Sequence, residues 1–183
     1  MIFMSEKSAK KTALPKKTAS FERLLQIRKQ FTKERVHSSG EQEHLMELVV
    51  DLGGVSIINN SASVDIDSTW YAMDQIEGKI IWITGGVDRG NNYDYLRDIV
   101  KAKVKAIIVL GEHNLNVFRY FSQDGPSLMM SANLMDEAVE HAVVMAAKGD
   151  TILFSPGCPS YDLYENFEER GADFKRAVTV LTK

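Results

Sequence analysis

Four short apolar runs rich in β-branched residues, at 55–58, 80–84, 106–110 and 151–154, alternate with stretches of helical spacing, and no other feature constrains the fold as much. Runs that are apolar at nearly every position suit strands buried on both faces. Strands alternating with helices make a mostly parallel sheet covered by helices, an α/β layer structure. Residues 127–130 form a weaker fifth strand candidate, and 177–181 fits either a last strand or a helix end. The apolar spacing predicts helices over 68–76, 93–102, 114–121, 135–147 and 161–174. A length of 183 residues allows one ordinary domain plus an appendage.

The appendage is marked by charge. The net charge of −3 conceals a basic start: residues 1–36 carry ten Lys or Arg against three Glu, while the rest carries 12 against 22 Asp or Glu. Residues 1–17, rich in Lys, Ser, Ala and Thr, have no apolar periodicity and are expected to be a disordered tail. Within 18–36, Phe21, Leu24, Leu25, Ile27 and Phe31 recur at helical spacing among Arg23, Arg28, Lys29, Lys33 and Arg35, which predicts a basic amphipathic helix. Ser38-Ser39-Gly40 breaks that pattern, so 37–43 reads as a linker and 44–183 as the folded domain. The arm could meet nucleic acid, an anionic membrane surface, an acidic partner or this protein's own body. Its pairing with an acidic body favours protein docking, and nucleic acid is not the expected partner.

No apolar run approaches the ~18 residues of a membrane span, and Met1-Ile2-Phe3-Met4 is too short for a signal-peptide core. The single cysteine, Cys158, excludes an intrachain disulfide and suits a reducing compartment, so a cytoplasmic protein is expected.

Three segments invite a chemical reading. Gly85-Gly86-Val87-Asp88-Arg89-Gly90-Asn91-Asn92 follows a strand and opens a helix, where backbone N–H groups can hold an anion. A phosphate loop of the form G-x-x-x-x-G-K-(S/T) needs Lys and a hydroxyl where Asn91 and Asn92 stand, so the glycines can equally serve a tight turn. Cys158 follows a strand in a Pro-rich loop, but without a Cys-x-x-Cys pattern or an assignable base it reads as a small residue in that loop. His37, His44, His113 and His141 lack metal-ligand spacing, and no metal is expected. Glu168-Glu169-Arg170 reads as a solvated helix face, and Trp70, Tyr71 and Met73 as packing residues.

The third segment runs from Ser155-Pro156-Gly157-Cys158-Pro159-Ser160 through Asp162, Asn166, Phe167, Arg170 and Gly171 to Phe174. It resembles S-P-A-C-A-S-x-D-x-F-x-N-(F/Y)-x-x-R-G-x-x-F, the closing motif of the C-terminal domain of Mur ligases, in particular the D-glutamate-adding ligases. His44-Leu45-Met46-Glu47 resembles the H-R-L-E that opens that domain, and residues 59–65 fall on its N-D-S-K-A-T-N. Residues 67–72 and 85–91 look particularly like the ligase of Bacteroidetes-type bacteria. The resemblance covers roughly residues 43–181. It implies a Rossmann-like fold that closes over a central ATPase domain and supplies part of a D-glutamate pocket.

Carried over residue by residue, the resemblance puts Asn60, Ser61, Arg89, Ser160 and Phe167 in that pocket, in degenerate form. Asn60 stands for the family's Asp, Arg89 for a Lys, and Ala62 and Val64 for a Lys and a Thr that hold substrate. The UDP-binding and ATPase domains have no counterpart in the chain, so ATP and Mg, used by the intact family, are not expected as cofactors of this chain alone. The resemblance therefore implies a stand-alone module that retains a small anionic ligand or a protein partner but no autonomous ligase activity. The alternative is one subunit of a split ligase, completed by a separate ATPase chain.

Overall fold

The computed structural model describes residues 43–111 and 115–181. The expected tail, the amphipathic helix and residues 37–42 of the linker lie outside the described residues, as do His113 and Asn114. A six-stranded sheet is built from β1 (Glu47–Leu52), β2 (Val55–Asn59), β3 (Ile80–Gly85), β4 (Val104–Leu110), β5 (Leu128–Ala132) and β6 (Thr151–Phe154). The helices are α1 (Ile66–Asp74), α2 (Arg97–Lys103, entered through a 3₁₀ turn at Tyr93–Leu96), α3 (Leu115–Phe121), α4 (Met135–Met145) and α5 (Phe167–Leu181).

The strand order is β1-β2-β6-β3-β4-β5, with β1 antiparallel to β2 and every other pairing parallel. Alternation along each central strand divides the core in two. Ile80, Trp82, Ile107, Val109 and Leu153 face α1, α2 and α3, whereas Ile81, Ile83, Ile108 and Phe154 face α4 and α5. Trp82 meets Phe121 edge to face at 6.1 Å, and Phe154 stacks on Phe174 at 4.7 Å. Each such fully buried side chain contributes about 1.5–3 kcal/mol of transfer free energy. All six positions of β3 are buried, which is why that run carries no polar alternation.

The α/β layer structure expected from the sequence is the one observed, including the weaker strand at β5. Of the two readings open for residues 177–181, the helix end is the one observed, as the end of α5. Two local expectations change. That helix starts at Phe167 and not at 161, because Asn166 caps it: its Oδ1 accepts from Glu169 N at 2.7 Å, while Glu169 Oε2 accepts from Glu165 N at 2.9 Å. Strand β1 is additional. Its hairpin with β2 turns through Gly53 and Gly54, both at positive φ (63° and 90°), a two-residue connection that only glycine or a few polar residues adopt readily.

Candidate functional site

In a parallel sheet, the carboxyl ends of the strands gather the loops that lead into helices. Here the loops after β2, β6 and β3 meet above three adjacent strands, and the residues singled out by the sequence lie on them. Asn59 and Asn60 end β2 and are buried. Asn59 Nδ2 donates to His44 Nδ1 (2.9 Å) and Glu47 Oε2 (3.1 Å), and its Oδ1 accepts from Ser61 N (3.2 Å). Asn60 Oδ1 accepts from Met46 N (3.1 Å), and its Nδ2 donates to Ser155 Oγ (3.2 Å). These bonds hold the preceding turn, where His44 and Met46 adopt the left-handed backbone at φ 64° and 50°.

Behind Asn60, the hydroxyls of Ser155, Thr69 and Ser63 form a chain, Ser155 Oγ to Thr69 Oγ1 at 3.1 Å and Thr69 Oγ1 to Ser63 Oγ at 2.8 Å. It fixes the first turn of α1 to the end of β6. The helix itself is capped by Asp65, whose Oδ1 accepts from Ser68 N at 2.7 Å.

The centre of the arrangement is Arg170, which is 2% exposed. Its Nε donates to Ser61 Oγ (3.1 Å), Nη2 to Ser61 O (2.9 Å) and Nη1 to Cys158 O (2.9 Å). Ser61 Oγ in turn donates to Phe167 O at 2.7 Å. One guanidinium from α5 thus ties the loop after β2 to the loop after β6. Burial pushes the Arg170 guanidinium down to about 10, which leaves it charged at neutral pH. The reading of Glu168-Glu169-Arg170 as a solvated face is correct for the two exposed glutamates and wrong for Arg170. Its position beside Phe174 on the inward side of α5 is the signal that could have found it.

The Gly85–Asn92 loop is laced onto the same assembly. Val87 N donates to Pro159 O at 2.9 Å, and a Cβ on Gly86 would lie 2.3 Å from that oxygen and 3.1 Å from Arg170 Nη1, so glycine is needed there. The expectation that this loop offers backbone donors to an anion is corrected by Asp88. Its Oδ1 accepts from Gly90 N (2.9 Å) and Asn91 N (2.8 Å), and its Oδ2 from Tyr93 Oη (3.1 Å) and Asn116 Nδ2 (3.0 Å). Burial alone would raise the Asp88 carboxyl, but these four donors outweigh it and hold its pKa below the ordinary value. The nest is filled by the chain's own carboxylate.

Among the five residues assigned by resemblance, Asn60, Ser61 and Ser160 are buried, Phe167 is half-buried against the His44 ring at 6.4 Å, and Arg89 is exposed. Ser61 and Phe167 are in direct contact. Ser160 uses its carbonyl to accept from Leu163 N and Tyr164 N (3.2 and 3.0 Å). Arg89 makes no hydrogen bond or ion pair with any of the described residues, so its guanidinium is the donor still available to a ligand. Val64 is 40% exposed and Ala62 is partly exposed, which makes an apolar rim on the loop after β2.

Two clefts flank this region. One, of about 320 Å³, lies between Asp65, Asp67, Gly90, Asn91, Asn92 and Tyr95. The other, of about 390 Å³, is lined by Tyr161, Asp162, Leu163, Tyr164, Glu165 and Glu169. Neither is lined by Arg89.

The Gly85–Asn92 loop does not fit a nucleotide phosphate with Mg. Asn91 Nδ2 is committed to Gly157 O (3.0 Å) and Cys158 Sγ (3.1 Å), and Asn92 Oδ1 accepts from Asp94 N (3.1 Å), so a phosphate finds neither lysine nor hydroxyl there. Cys158 is 2% exposed, and burial, aided by Asp88, pushes its thiol up to about 11. It is packing, not a nucleophile at neutral pH.

A six-stranded sheet of this topology, flanked by helices and closed by the Ser61–Arg170–Cys158 tie, defines an α/β domain of the Mur ligase C-terminal type. A murein peptide ligase from Psychrobacter arcticus shares that fold, with a TM-score of 0.52 at 13% identity over 76% of this chain and 30% of the other. Within the class, the chain is homologous to UDP-N-acetylmuramoylalanine–D-glutamate ligases. It is 43% identical over 155 residues to that of Christiangramia forsetii, covering 85% of this chain and 35% of the relative. It is 42% identical over 139 residues to that of Chlorobium limicola and 37% over 162 residues to that of Porphyromonas gingivalis, covering 76% and 88% of this chain. The chain spans about a third of the length of these curated relatives. No protein-family model matches the sequence. Among the described residues, no helix is long and apolar enough to cross a membrane.

Proposed function

We propose that this chain is a binding or regulatory module linked to peptidoglycan-precursor metabolism, acting in the cytoplasm and without ligase activity of its own. The observation that carries the reading is the mixed state of the site. The frame around Arg170, Ser61 and Asn60 is held by hydrogen bonds, yet Ala62 and Val64 stand where the resemblance implies a substrate-holding Lys and Thr. A chain that turns over D-glutamate has need of donors that Ala62 and Val64 cannot provide. Loss of one charge-assisted hydrogen bond costs about 1.5–3 kcal/mol, roughly one to two decades of affinity.

The pocket of Arg89, Ser160, Phe167, Asn60 and Ser61 then binds a small anion weakly, through Arg89. Residues 18–36 provide the contact for a protein partner. A titration of the labelled protein with D-glutamate, inorganic phosphate and citrate, followed by amide chemical shifts, tests the reading. Weak shifts confined to the Arg89 loop and no preference for D-glutamate are expected. Tight, selective D-glutamate binding would overturn it and support the alternative, a subunit of a split ligase.

A further inference from the structure

The cleft lined by Tyr161, Leu163 and Glu169 has the chemistry of a docking surface that lacks its occupant. Tyr161 is 66% exposed and Leu163 48%, beside the carboxylates of Asp162, Glu165 and Glu169. No salt bridge joins those three carboxylates to a Lys or Arg among the described residues. Exposed aromatic and aliphatic groups framed by carboxylates that form no salt bridge among the described residues call for an occupant that is apolar on one side and cationic on the other.

We propose that this occupant is the chain's own segment 18–36, docked in cis. That segment sets Phe21, Leu24, Leu25 and Phe31 on one side of a helical pattern and carries five Lys or Arg against two Glu. It complements the cleft in both respects.

The geometry brings the two together. The first described residues lie over the start of α5: the His44 ring meets Phe167, Gly171 touches that ring, and Lys175 pairs with Glu43 and with Glu47 (3.2 Å). Glu43 sits at Lys175, and Glu169 lies about 9 Å back along the helix and about 120° around it, so the cleft is on the order of 15 Å from where the chain emerges. The seven steps from Val36 to Glu43 reach up to ~25 Å. A tether this short sets an effective concentration in the mM range. An intrinsic dissociation constant of ~0.1 mM then suffices for the docked form to exceed the free form about tenfold.

Docking there lays the arm along the stretch between Ser160 and Phe167, at the rim of the candidate ligand site. An outside protein that takes residues 18–36 must first displace them, so its apparent affinity falls by the fraction of arm that is free. The inference goes beyond the proposed binding role, and its test uses neither a small ligand nor an external partner. The two can therefore fail separately.

The test is paramagnetic broadening in the intact chain. A nitroxide is placed at Gln26→Cys, on the polar side of the helical pattern, while buried Cys158 stays unlabelled. Amide signals of residues 161–169 are expected to lose more than half their intensity, and those of β4 and α2 to keep theirs. Leu24→Asp with Phe31→Asp, or Asp162→Lys, should each restore the signals at least twofold. Broadening that is absent, or spread evenly over the domain, overturns the proposal. So does equal broadening when the spin-labelled and isotope-labelled chains are separate molecules, which assigns the occupant to a second copy.

Discussion

The Arg170 guanidinium grips Ser61 twice, through its carbonyl at 2.9 Å and its hydroxyl at 3.1 Å, and reaches Cys158 O with the same fork. Arg170→Met should therefore leave two buried carbonyls without donors, each costing about 1–3 kcal/mol. The urea midpoint should fall by an amount worth about 3 kcal/mol with an unchanged slope. Arg170→Lys should recover only part of the loss, because an ammonium cannot reproduce the planar fork. A loss under about 1 kcal/mol for the Met variant would contradict the assigned role.

Gly171 and His44 form a second close relationship. A Cβ at 171 would lie 2.2 Å from His44 Nδ1, and His44 is only 5% exposed. Gly171→Ala should destabilise by about 1–3 kcal/mol through overpacking, even though alanine favours a helix by up to ~1 kcal/mol. In a His44→Ala background the same change should be neutral or stabilising, a coupling that a double-mutant cycle measures directly. Additive effects would show that the ring is not what excludes a side chain there.

The acid limb of stability has a defined contributor in Asp150. Burial works against its carboxylate, but Lys105 Nζ at 2.8 Å and Ala147 N at 2.8 Å together outweigh that and hold its pKa below the ordinary value. A carboxylate depressed in the folded state stabilises fully above its unfolded value, roughly pH 4, and loses that contribution as pH falls through the folded value. The stability difference between the natural chain and Asp150→Asn should accordingly shrink as pH falls from 6 to 3. A difference constant across that range would assign the stabilisation elsewhere.

The apolar rim can be reversed. Ala62→Lys with Val64→Thr should raise D-glutamate affinity by about tenfold or more, the value of one restored charge-assisted bond. The readout is the same amide titration, and no change would mean that these positions do not face the ligand.

How far the sequence carries differs between fold and site. The central strands were legible because Ile80–Gly85 and Thr151–Phe154 are buried on both faces and so lack polar alternation. Strand β1 is not, because Glu47–Leu52 is a half-exposed edge whose mixed pattern mimics a loop, and the Gly53-Gly54 pair is the one hairpin signal beside it. In the site, the resemblance names both Ser61 and Phe167, and Ser61 Oγ donates to the Phe167 carbonyl. Two things escaped. Arg170 follows two exposed glutamates in sequence and shares their polarity, but the helical rotation turns it inward. Asp88 closes the glycine loop through hydrogen bonds to residues two to 28 positions away, and local spacing does not encode such a choice of partner.

The central claim is that this chain binds without catalysing ligation. Phosphate release by the purified chain, supplied with Mg, ATP, UDP-N-acetylmuramoyl-L-alanine and D-glutamate, tests it most directly. An Arg89→Ala chain prepared in parallel reports any contaminating ATPase. The account predicts equal release from both, because neither Asn91 nor Asn92 provides what a phosphate loop requires. D-Glutamate-dependent release from the natural chain above that of Arg89→Ala would contradict it.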